Sequence, residues 1–208
     1  MSARRAHRME APLNQMKPPS LLLASTSPRR SELLRQMGVS FTVVRNHVPE
    51  VAPEHLSPVE TAEINAYRKA RATAKKHPDA LVLGADTIVS LGAAIFGKPV
   101  DMADAEQMLA RLQGRTHQVI TGVCLMHLRS HRQNLFAVST SVTFRKLHLG
   151  QIRRYLASIF PFDKAGSYAL QEEGDLLVKN VSGSFSNVVG LPVERLAEEL
   201  SVWKTVCR

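Results

Sequence analysis

Short apolar runs alternate with stretches of helical periodicity along the chain, and this alternation limits the fold more than any other feature of the sequence. Residues 21–24 are an apolar run suited to a buried strand, which breaks at residues 25–28, where serine and proline favour a helix start. Helical periodicity then continues to Gly38, a residue suited to end a helix. Such a unit of strand, turn and helix is typical of α/β proteins.

The same two patterns recur over the rest of the chain. They predict strands over residues 41–44, 80–84, 118–126, 135–147 and 176–181, and helices over residues 57–76, 101–112, 152–159 and 196–203. Ser57 and Glu60 have the spacing of a capping box at the start of the first of these helices. Apolar residues recur with a period of two between residues 135 and 147, which indicates a half-exposed strand antiparallel to its neighbour. The sum predicts a mixed α/β fold.

The composition is that of a globular protein with one domain. The 208 residues suffice for one α/β domain, and the chain is 44% hydrophobic, 22% charged and only 5% aromatic, which predicts an aliphatic core. We expect residues 20–208 to form this single domain. Residues 1–19 carry four basic side chains against Glu10, and we expect a disordered, solvated extension there, with contact to an acidic partner as the alternative.

Several functional classes are disfavoured by the patterns that the sequence lacks. No apolar run approaches the roughly 20 residues of a membrane helix, and no signal-peptide pattern is present, so we expect a cytoplasmic protein without membrane contact. Cys124 and Cys207 lack metal-ligand spacing, and the eight histidines form no zinc or triad motif. The net charge of +9 predicts attraction to anions, but it does not distinguish nucleic acids, membranes and small phosphorylated substrates.

The first candidate site is the segment STSPRR at residues 25–30. A strand that runs into a helix N-terminus presents free N–H groups and a partial positive charge to an anion, and Arg29 and Arg30 add bidentate phosphate donors. The alternative is a capped helix whose arginines are solvated. A Walker sequence and a G-x-G-x-x-G motif are absent, so neither an ordinary P-loop nor a dinucleotide site is predicted.

A carboxylate and several lysines are further candidates. Asp86 comes after the predicted strand over residues 80–84, so we expect it at the sheet edge, where it could hold a divalent ion or orient a water; a turn-forming aspartate is the alternative. Lys98 lies between a glycine and a proline that restrict the backbone, which suits a fixed phosphate contact, although a surface turn is favoured. Lys69 and Lys164 allow the same two interpretations.

Two polar loops complete the candidate residues. The loop over residues 163–171 ends on Gln171, whose amide donors and carbonyl could bind the edge of a base, with a structural loop as the equal alternative. Ser184, Asn187 and residues 190–192 form a second loop that could line the same cleft, but a capped helix start is the favoured interpretation there.

Taken together, these segments resemble the Maf family of nucleoside triphosphate pyrophosphatases. The match follows the family's order over about residues 20 to 200, through the strings LLASTSPRR (22–30), LGADT (83–87), GKP (97–99), THQV (116–119), DKAGSYALQ (163–171) and NVVGLP (187–192). The resemblance implies a fold like that of inosine triphosphate pyrophosphatases, an elongated mixed β-sheet flanked by helices, with two lobes around a central cleft. It also implies a homodimer that hydrolyses the α–β phosphate bond with a divalent metal, Mg²⁺ or Mn²⁺.

The resemblance also implies roles for single residues. Asp86 matches the family's proposed proton acceptor, and with Glu50 it forms the implied metal-binding pair. The positions associated with substrate choice are matched by Arg29, Thr87 and Gln171. Charged cleft positions are matched by Arg30, Glu50, Lys69 and Lys98.

The expected substrates follow from the branch of the family that the chain looks like. Arg29 and the loop over residues 164–171 look like the dTTP/UTP branch, so we expect dTTP and UTP, or modified pyrimidine nucleotides, as substrates and no stable nucleic-acid partner. Phe160 departs from the pattern, because relatives often have glutamate there, and this puts loop packing and metal affinity in question. Two alternatives stay open: the sister activity on 7-methyl-GTP, and a catalytically weak basic regulatory or binding protein linked to cell division.

Overall fold

The computed structural model describes residues 20–206, so the expected extension over residues 1–19 and the thiol of Cys207 lie outside the described residues. The strands are β1 (Leu21–Leu23), β2 (Phe41–Val43), β3 (Leu81–Leu91), β4 (Ala94–Phe96), β5 (Thr116–His127), β6 (Arg132–Phe144) and β7 (Val178–Ser182). The helices are α1 (Pro28–Gln36), α2 (Pro58–Ala74), α3 (Met102–Leu112), α4 (Leu149–Ser158), α5 (Gly174–Leu177), α6 (Phe185–Val189) and α7 (Val193–Val206). None of these helices is both long and apolar enough to cross a membrane.

All seven strands of the described chain belong to one mixed sheet. Its order is β2-β1-β3-β5-β6-β7, with β4 paired to β3. The β1 strand runs parallel to β2 and β3, whereas the other pairs are antiparallel. Parallel neighbours need a crossover connection, and α1 and α2 supply it. The predicted mixed sheet flanked by helices is therefore confirmed.

A gap along one edge of β3 creates the central cleft. On this edge β1 pairs with residues 81–83 and β4 pairs with residues 89–91, and no described strand pairs with residues 84–88 between them. The opposite edge of β3 is paired with β5 over residues 82–90, and there Asp86 lies across from Gly122. The expectation that Asp86 follows the strand is therefore wrong: it lies in the middle of β3, because pairing with β5 extends the strand beyond the apolar run.

Two glycines let α2 lie unusually close to the sheet. A Cβ atom added to Gly84 would be 2.4 Å from the Ala66 carbonyl oxygen, and one added to Gly122 would be 2.4 Å from the Ala62 carbonyl oxygen. Both distances are far inside van der Waals contact, so only glycine fits at these two strand positions. The backbone of α2 consequently lies directly over the middle of β3 and β5.

Two hydrophobic cores lie on either side of the cleft and define the two predicted lobes. The first packs α1 and α7 against β1, β3 and β5, and includes Leu23, Leu34, Leu83 and Trp203. The second packs α3 and α4 against the other end of the sheet, and includes Phe96, Phe144, Tyr155 and Tyr168. Both cores are mainly aliphatic, as expected, and the second also contains four of the five aromatic side chains that are buried in the described chain.

Most predicted elements are confirmed, with exceptions in the polar segments. The capping box of Ser57 and Glu60 has both of its hydrogen bonds, and α3 begins at the cap Asp101 and is followed by Gly114 at a φ of +66°. The predicted strand over residues 176–181 begins only at Val178, because α5 occupies the residues before it. Sequence patterns missed β4 and α5, which are three and four residues long.

Substituting Gly84 should test the close packing of α2. We expect Gly84→Ala to lower the free energy of unfolding by about 1–3 kcal/mol, since the new methyl group meets backbone atoms that cannot rotate away. Gly97→Ala is the matched control, because a Cβ atom there meets nothing within 4 Å. Urea unfolding measures both, and equal stability of the two variants would show that α2 is not held at this distance.

A buried histidine, His117, packs among the aromatic rings of the second core. The ring of His117 contacts the rings of Phe144 and Tyr168 edge to face, and its Nε2 atom lies 2.8 Å from the Tyr168 hydroxyl oxygen. Its Nδ1 atom has no hydrogen-bond partner. Burial lowers the pKa of His117 to about 4, so the ring is neutral near pH 7.

Acidification should weaken the fold through His117. Between the ordinary pKa of 6.5 and the folded value of about 4, the unfolded chain binds a proton that the folded protein does not, so the free energy of unfolding rises with pH in this window. At about 1.4 kcal/mol per pKa unit, the contribution is at most about 3.5 kcal/mol. Urea unfolding at pH 7 and pH 4.5 should show a larger loss for the wild type than for His117→Gln; equal losses would contradict the burial of a neutral ring.

Candidate active site

The cleft between the lobes has a volume of about 490 Å³ and gathers the predicted site residues. Its lining comes from the turn over residues 24–30, the loop over residues 46–50, the middle of β3, the Lys98 loop, the segment over residues 162–171 and the end of α6. All eight residues predicted from the sequence are among the lining residues: Arg29, Arg30, Glu50, Lys69, Asp86, Thr87, Lys98 and Gln171.

A lysine bridges the two candidate carboxylates. The Nζ atom of Lys69 donates to Asp86 Oδ1 at 2.6 Å and to Glu50 Oε1 at 2.8 Å. Lys69 and Asp86 are buried, whereas the Glu50 side chain is 44% exposed. Lys98 reaches the same Glu50 oxygen at 3.3 Å. Two lysines and two carboxylates therefore meet at one point of the cleft.

Burial and charge shift the two carboxylates in opposite directions. Burial raises the pKa of Asp86, and the attraction of Lys69 only partly opposes it, while the negative charge of Glu50 adds to the rise. Burial also acts to raise the pKa of Glu50, but the charges and hydrogen bonds of Lys69 and Lys98 outweigh it and lower this pKa to about 2. Glu50 is thus a fixed anion near pH 7, and Asp86 is the carboxylate whose proton affinity is increased.

Asn65 is a site residue that the sequence analysis missed. Its Nδ2 atom donates to Asp86 Oδ2 at 3.2 Å, and its amide also exchanges two hydrogen bonds with the backbone of Val51. The loop that carries Glu50 is thereby tied to α2. A signal was present, because Asn65 is four residues before Lys69 and shares its helix face.

Arg30 links the first turn of α1 to the face of β3 that lies opposite to Asp86. Its guanidinium donates to the Gly190 carbonyl at 2.8 Å, to Ser25 Oγ at 3.1 Å and to Thr87 Oγ1 at 3.0 Å. Burial lowers its pKa, against the attraction of Asp86 and Glu50. The serine cap predicted for α1 is absent, because the Ser27 side chain makes no capping hydrogen bond. The Ser25 hydroxyl instead accepts hydrogen bonds from the Ser27 N–H and from Arg30.

Arg29 crosses the cleft to the other lobe. Its guanidinium donates to the side chain of Asp163 at 2.9 Å and to the Asp163 carbonyl at 3.1 Å. The other carboxylate oxygen of Asp163 accepts from Lys164, which is buried and also contacts Glu172 at 3.1 Å. Asp163 is therefore neutralised from both sides.

Gln171 and Thr87 lie at different depths of the cleft. Gln171 is exposed on the segment that follows Tyr168, with its side chain among those lining the cleft. Thr87 is half-buried on the face of β3 opposite to Asp86, and its hydroxyl meets Arg30 and Thr121 at 3.0 Å each. Ser184 caps α6, and the Asn187 side chain donates to Val119 and Thr140, so the favoured structural interpretation of this loop is confirmed.

The donor set suits a hard cation that keeps part of its coordination for water and substrate. Within residues 20–206, no group of three or more His, Cys, Asp or Glu side chains is gathered in the manner of a metal cage. Glu50 and Asp86 nevertheless share one ammonium group and so approach the same point. Mg²⁺ is commonly held by one or two carboxylates together with substrate phosphates, and this pair fits that requirement.

Comparisons with known proteins agree with this geometry. A family model described as Maf-like protein matches residues 20–203. The chain is 47% identical to the dTTP/UTP pyrophosphatase of Symbiobacterium thermophilum, over 87% of this chain and 92% of that protein. It is 44% identical to the dTTP/UTP pyrophosphatase of Pelotomaculum thermopropionicum, over 86% and 94% respectively. The structure of a HAM1 protein from Coxiella burnetii matches 88% of this chain and 98% of that chain at 15% identity, with a TM-score of 0.50, which shows a similar fold.

Removing the bridging ammonium group should destabilise the protein in a pH-dependent way. We expect Lys69→Met to lower the free energy of unfolding by about 3–5 kcal/mol at pH 8, because a buried carboxylate loses its counter-charge. The pKa of Asp86 is then raised further above its unfolded value, so the folded variant gains a proton as pH falls. The loss should therefore be smaller at pH 5 than at pH 8.

An exposed position on the same helix provides the control for this experiment. Arg71→Met removes a positive charge from α2 at a solvent-exposed site and should change stability by less than about 0.5 kcal/mol. Urea unfolding at both pH values measures the two variants. A Lys69→Met loss that is the same at pH 5 and pH 8 would contradict the described coupling to Asp86.

Proposed function

The chain belongs to the Maf family, and from this premise we propose that it is a nucleoside triphosphate pyrophosphatase that hydrolyses dTTP and UTP to the nucleoside monophosphate and diphosphate. The curated relatives at 44–47% identity carry the name dTTP/UTP pyrophosphatase. The observation that carries the proposal is the meeting of Glu50, Lys69, Asp86 and Lys98 in the cleft. Cations that bind the phosphate oxygens and a carboxylate that orients the attacking water both assist hydrolysis of a polyphosphate, and this cluster supplies both.

Binding of the triphosphate is assigned to the basic groups around the carboxylates. Lys69 and Lys98 already neutralise carboxylates, and phosphate oxygens are a second anionic partner for their remaining N–H donors. Arg29 and Arg30 lie in the first turn of α1, whose free N–H groups favour an anion. Most of the rate then comes from positioning the phosphates and from neutralising the charge of the transition state.

Asp86 is assigned to the attacking water. A water placed by the Asp86 carboxylate attacks the α-phosphorus, the α–β bridging bond breaks, and diphosphate leaves with the bond's electron pair. The raised pKa of Asp86 favours accepting the water's proton, and the contact with Lys69 favours the ionised carboxylate that this step needs. Asn65 fixes the other carboxylate oxygen and thus the orientation of Asp86.

A divalent cation, Mg²⁺ or Mn²⁺, is part of the proposal. Glu50 and Asp86 are the residues assigned to hold it. When bound, such a cation neutralises phosphate charge and makes the phosphorus more electrophilic. Glu50 suits this role because its lowered pKa keeps it ionised over the whole physiological range.

Choice of the nucleotide is assigned to the second lobe and to Arg29. Gln171 carries an amide donor and acceptor for the edge of the base. Thr87 acts indirectly, because its hydroxyl holds Arg30 rather than facing the carboxylates. We further propose that residues 20–208 act as one catalytic domain, in the cytoplasm and as a homodimer; the family resemblance supports these three assignments.

Substituting Asp86 tests the proposed reaction. We expect Asp86→Asn to lower kcat for dTTP and UTP by about 100-fold or more, because the amide cannot accept the proton of water. Pyrophosphate release is measured with Mg²⁺ or Mn²⁺ over dTTP, UTP, CTP, 7-methyl-GTP and the other common triphosphates. The wild type should prefer dTTP and UTP.

A distant aspartate serves as the matched control. Asp79 is exposed and forms its ion pair with Arg129 outside the cleft, so Asp79→Asn should keep wild-type turnover. Near-normal turnover by a folded Asp86→Asn protein would remove the assignment of Asp86. A wild-type preference for 7-methyl-GTP would overturn the choice of substrate, and absence of turnover with every nucleotide would overturn the enzymatic proposal.

A further inference from the structure

The segment over residues 160–171 brings a different surface to the cleft from that of β3 and α2. Its two charged groups at the cleft are paired, since Asp163 contacts Arg29 and Lys164, and Lys164 also contacts Glu172. The other lining side chains of this segment are apolar or aromatic apart from one amide: Phe162, Ala165, Tyr168, Ala169, Leu170 and Gln171. A triphosphate gains little from such a surface, whereas a planar base has two apolar faces and a polar edge.

Phe162 is the ring on this surface that a ligand can reach. Two phenyl or phenol rings are present among the described residues that line the cleft, Phe162 and Tyr168. Tyr168 is 6% exposed, and its hydroxyl is bound to His117. Phe162 is 36% exposed, which leaves about a third of its surface open to the cleft or to solvent.

A second phenylalanine supports the Phe162 ring from one side. The rings of Phe160 and Phe162 meet edge to face, with their centroids 5.2 Å apart and an interplanar angle of 73°. Phe160 is itself 63% exposed, so the pair adds little to either core. Adjacent exposed aromatic rings are a feature of surfaces that bind a ligand or a partner. The backbone beside them is fixed by the contacts of Asp163 and Lys164.

We propose that Phe162 is the stacking face for the nucleobase and that Phe160 holds its ring in position, a specificity role that rests on the proposed pyrophosphatase function. Every base has a π face, so stacking supplies affinity whatever groups the base edge carries. Gln171, on the same segment, is then the residue that distinguishes the polar edge of one base from that of another. Base stacking is thus assigned to the segment over residues 160–171, apart from the lysines that are assigned to the phosphates.

The test compares ligands with and without a base. Isothermal titration calorimetry measures binding of dTMP, which carries the base, and of inorganic pyrophosphate, which does not. Phe162→Ala should weaken dTMP binding by about tenfold and leave pyrophosphate binding unchanged, whereas Phe162→Tyr should retain dTMP binding. In turnover assays, Phe162→Ala should raise KM for dTTP more than it lowers kcat.

A matched phenylalanine outside the cleft controls for the loss of an exposed ring. Phe185 is 55% exposed at the start of α6, and Phe185→Ala should bind dTMP like the wild type. Unchanged dTMP binding by Phe162→Ala, or an equal loss for dTMP and pyrophosphate, would overturn the inference. Because both ligands bind without turnover, a wild type that hydrolyses no triphosphate would refute the pyrophosphatase proposal separately. Thermal melting of each variant shows that it is folded.

Discussion

The close contact of α2 with the sheet is the constraint on which the rest of the site depends. Gly84 and Gly122 remove the side chains that would hold the helix away, and α2 therefore lies over Asp86. At this distance the short amide of Asn65 and the ammonium group of Lys69 both reach the Asp86 carboxylate. A larger residue at either glycine would move the helix backbone, and the two contacts would change together.

Charge balance within the cleft follows from that contact. Burying Asp86 is unfavourable for its ionised form, and the single ammonium group of Lys69 is shared with Glu50. The sharing leaves Asp86 with a raised pKa, while the more exposed Glu50 receives a second lysine and stays ionised. The close packing of α2 thus gives two chemically similar carboxylates different properties: Asp86 is a candidate proton acceptor, and Glu50 is a permanent anion. Hydrolysis of a charged substrate needs this difference.

Sequence patterns predicted most helices and strands well, but they did not predict positions that are set by contacts distant in the sequence. The capping box of Ser57 and the amphipathic α3 depend on local spacing, so both were visible in the sequence. The place of Asp86 inside β3 was not, because it results from pairing with a strand more than 30 residues away. Phe162 carried no local signal at all, since its exposure depends on how the segment after α4 folds against Gly97 and Arg29.

The contacts of the two arginines explain how the cleft can attract an anion while both guanidinium groups remain hydrogen-bonded. Arg30 is tied to Gly190, Ser25 and Thr87, all uncharged acceptors, so its positive charge is fixed by groups that do not cancel it. Arg29 is paired with Asp163, and an incoming phosphate competes for the same guanidinium. If phosphate displaces Asp163, that carboxylate keeps its contact with the buried Lys164. Exchange of partners at Arg29 therefore leaves the half-exposed Asp163 carboxylate with a counter-charge, which makes the exchange less costly than stranding it without a partner.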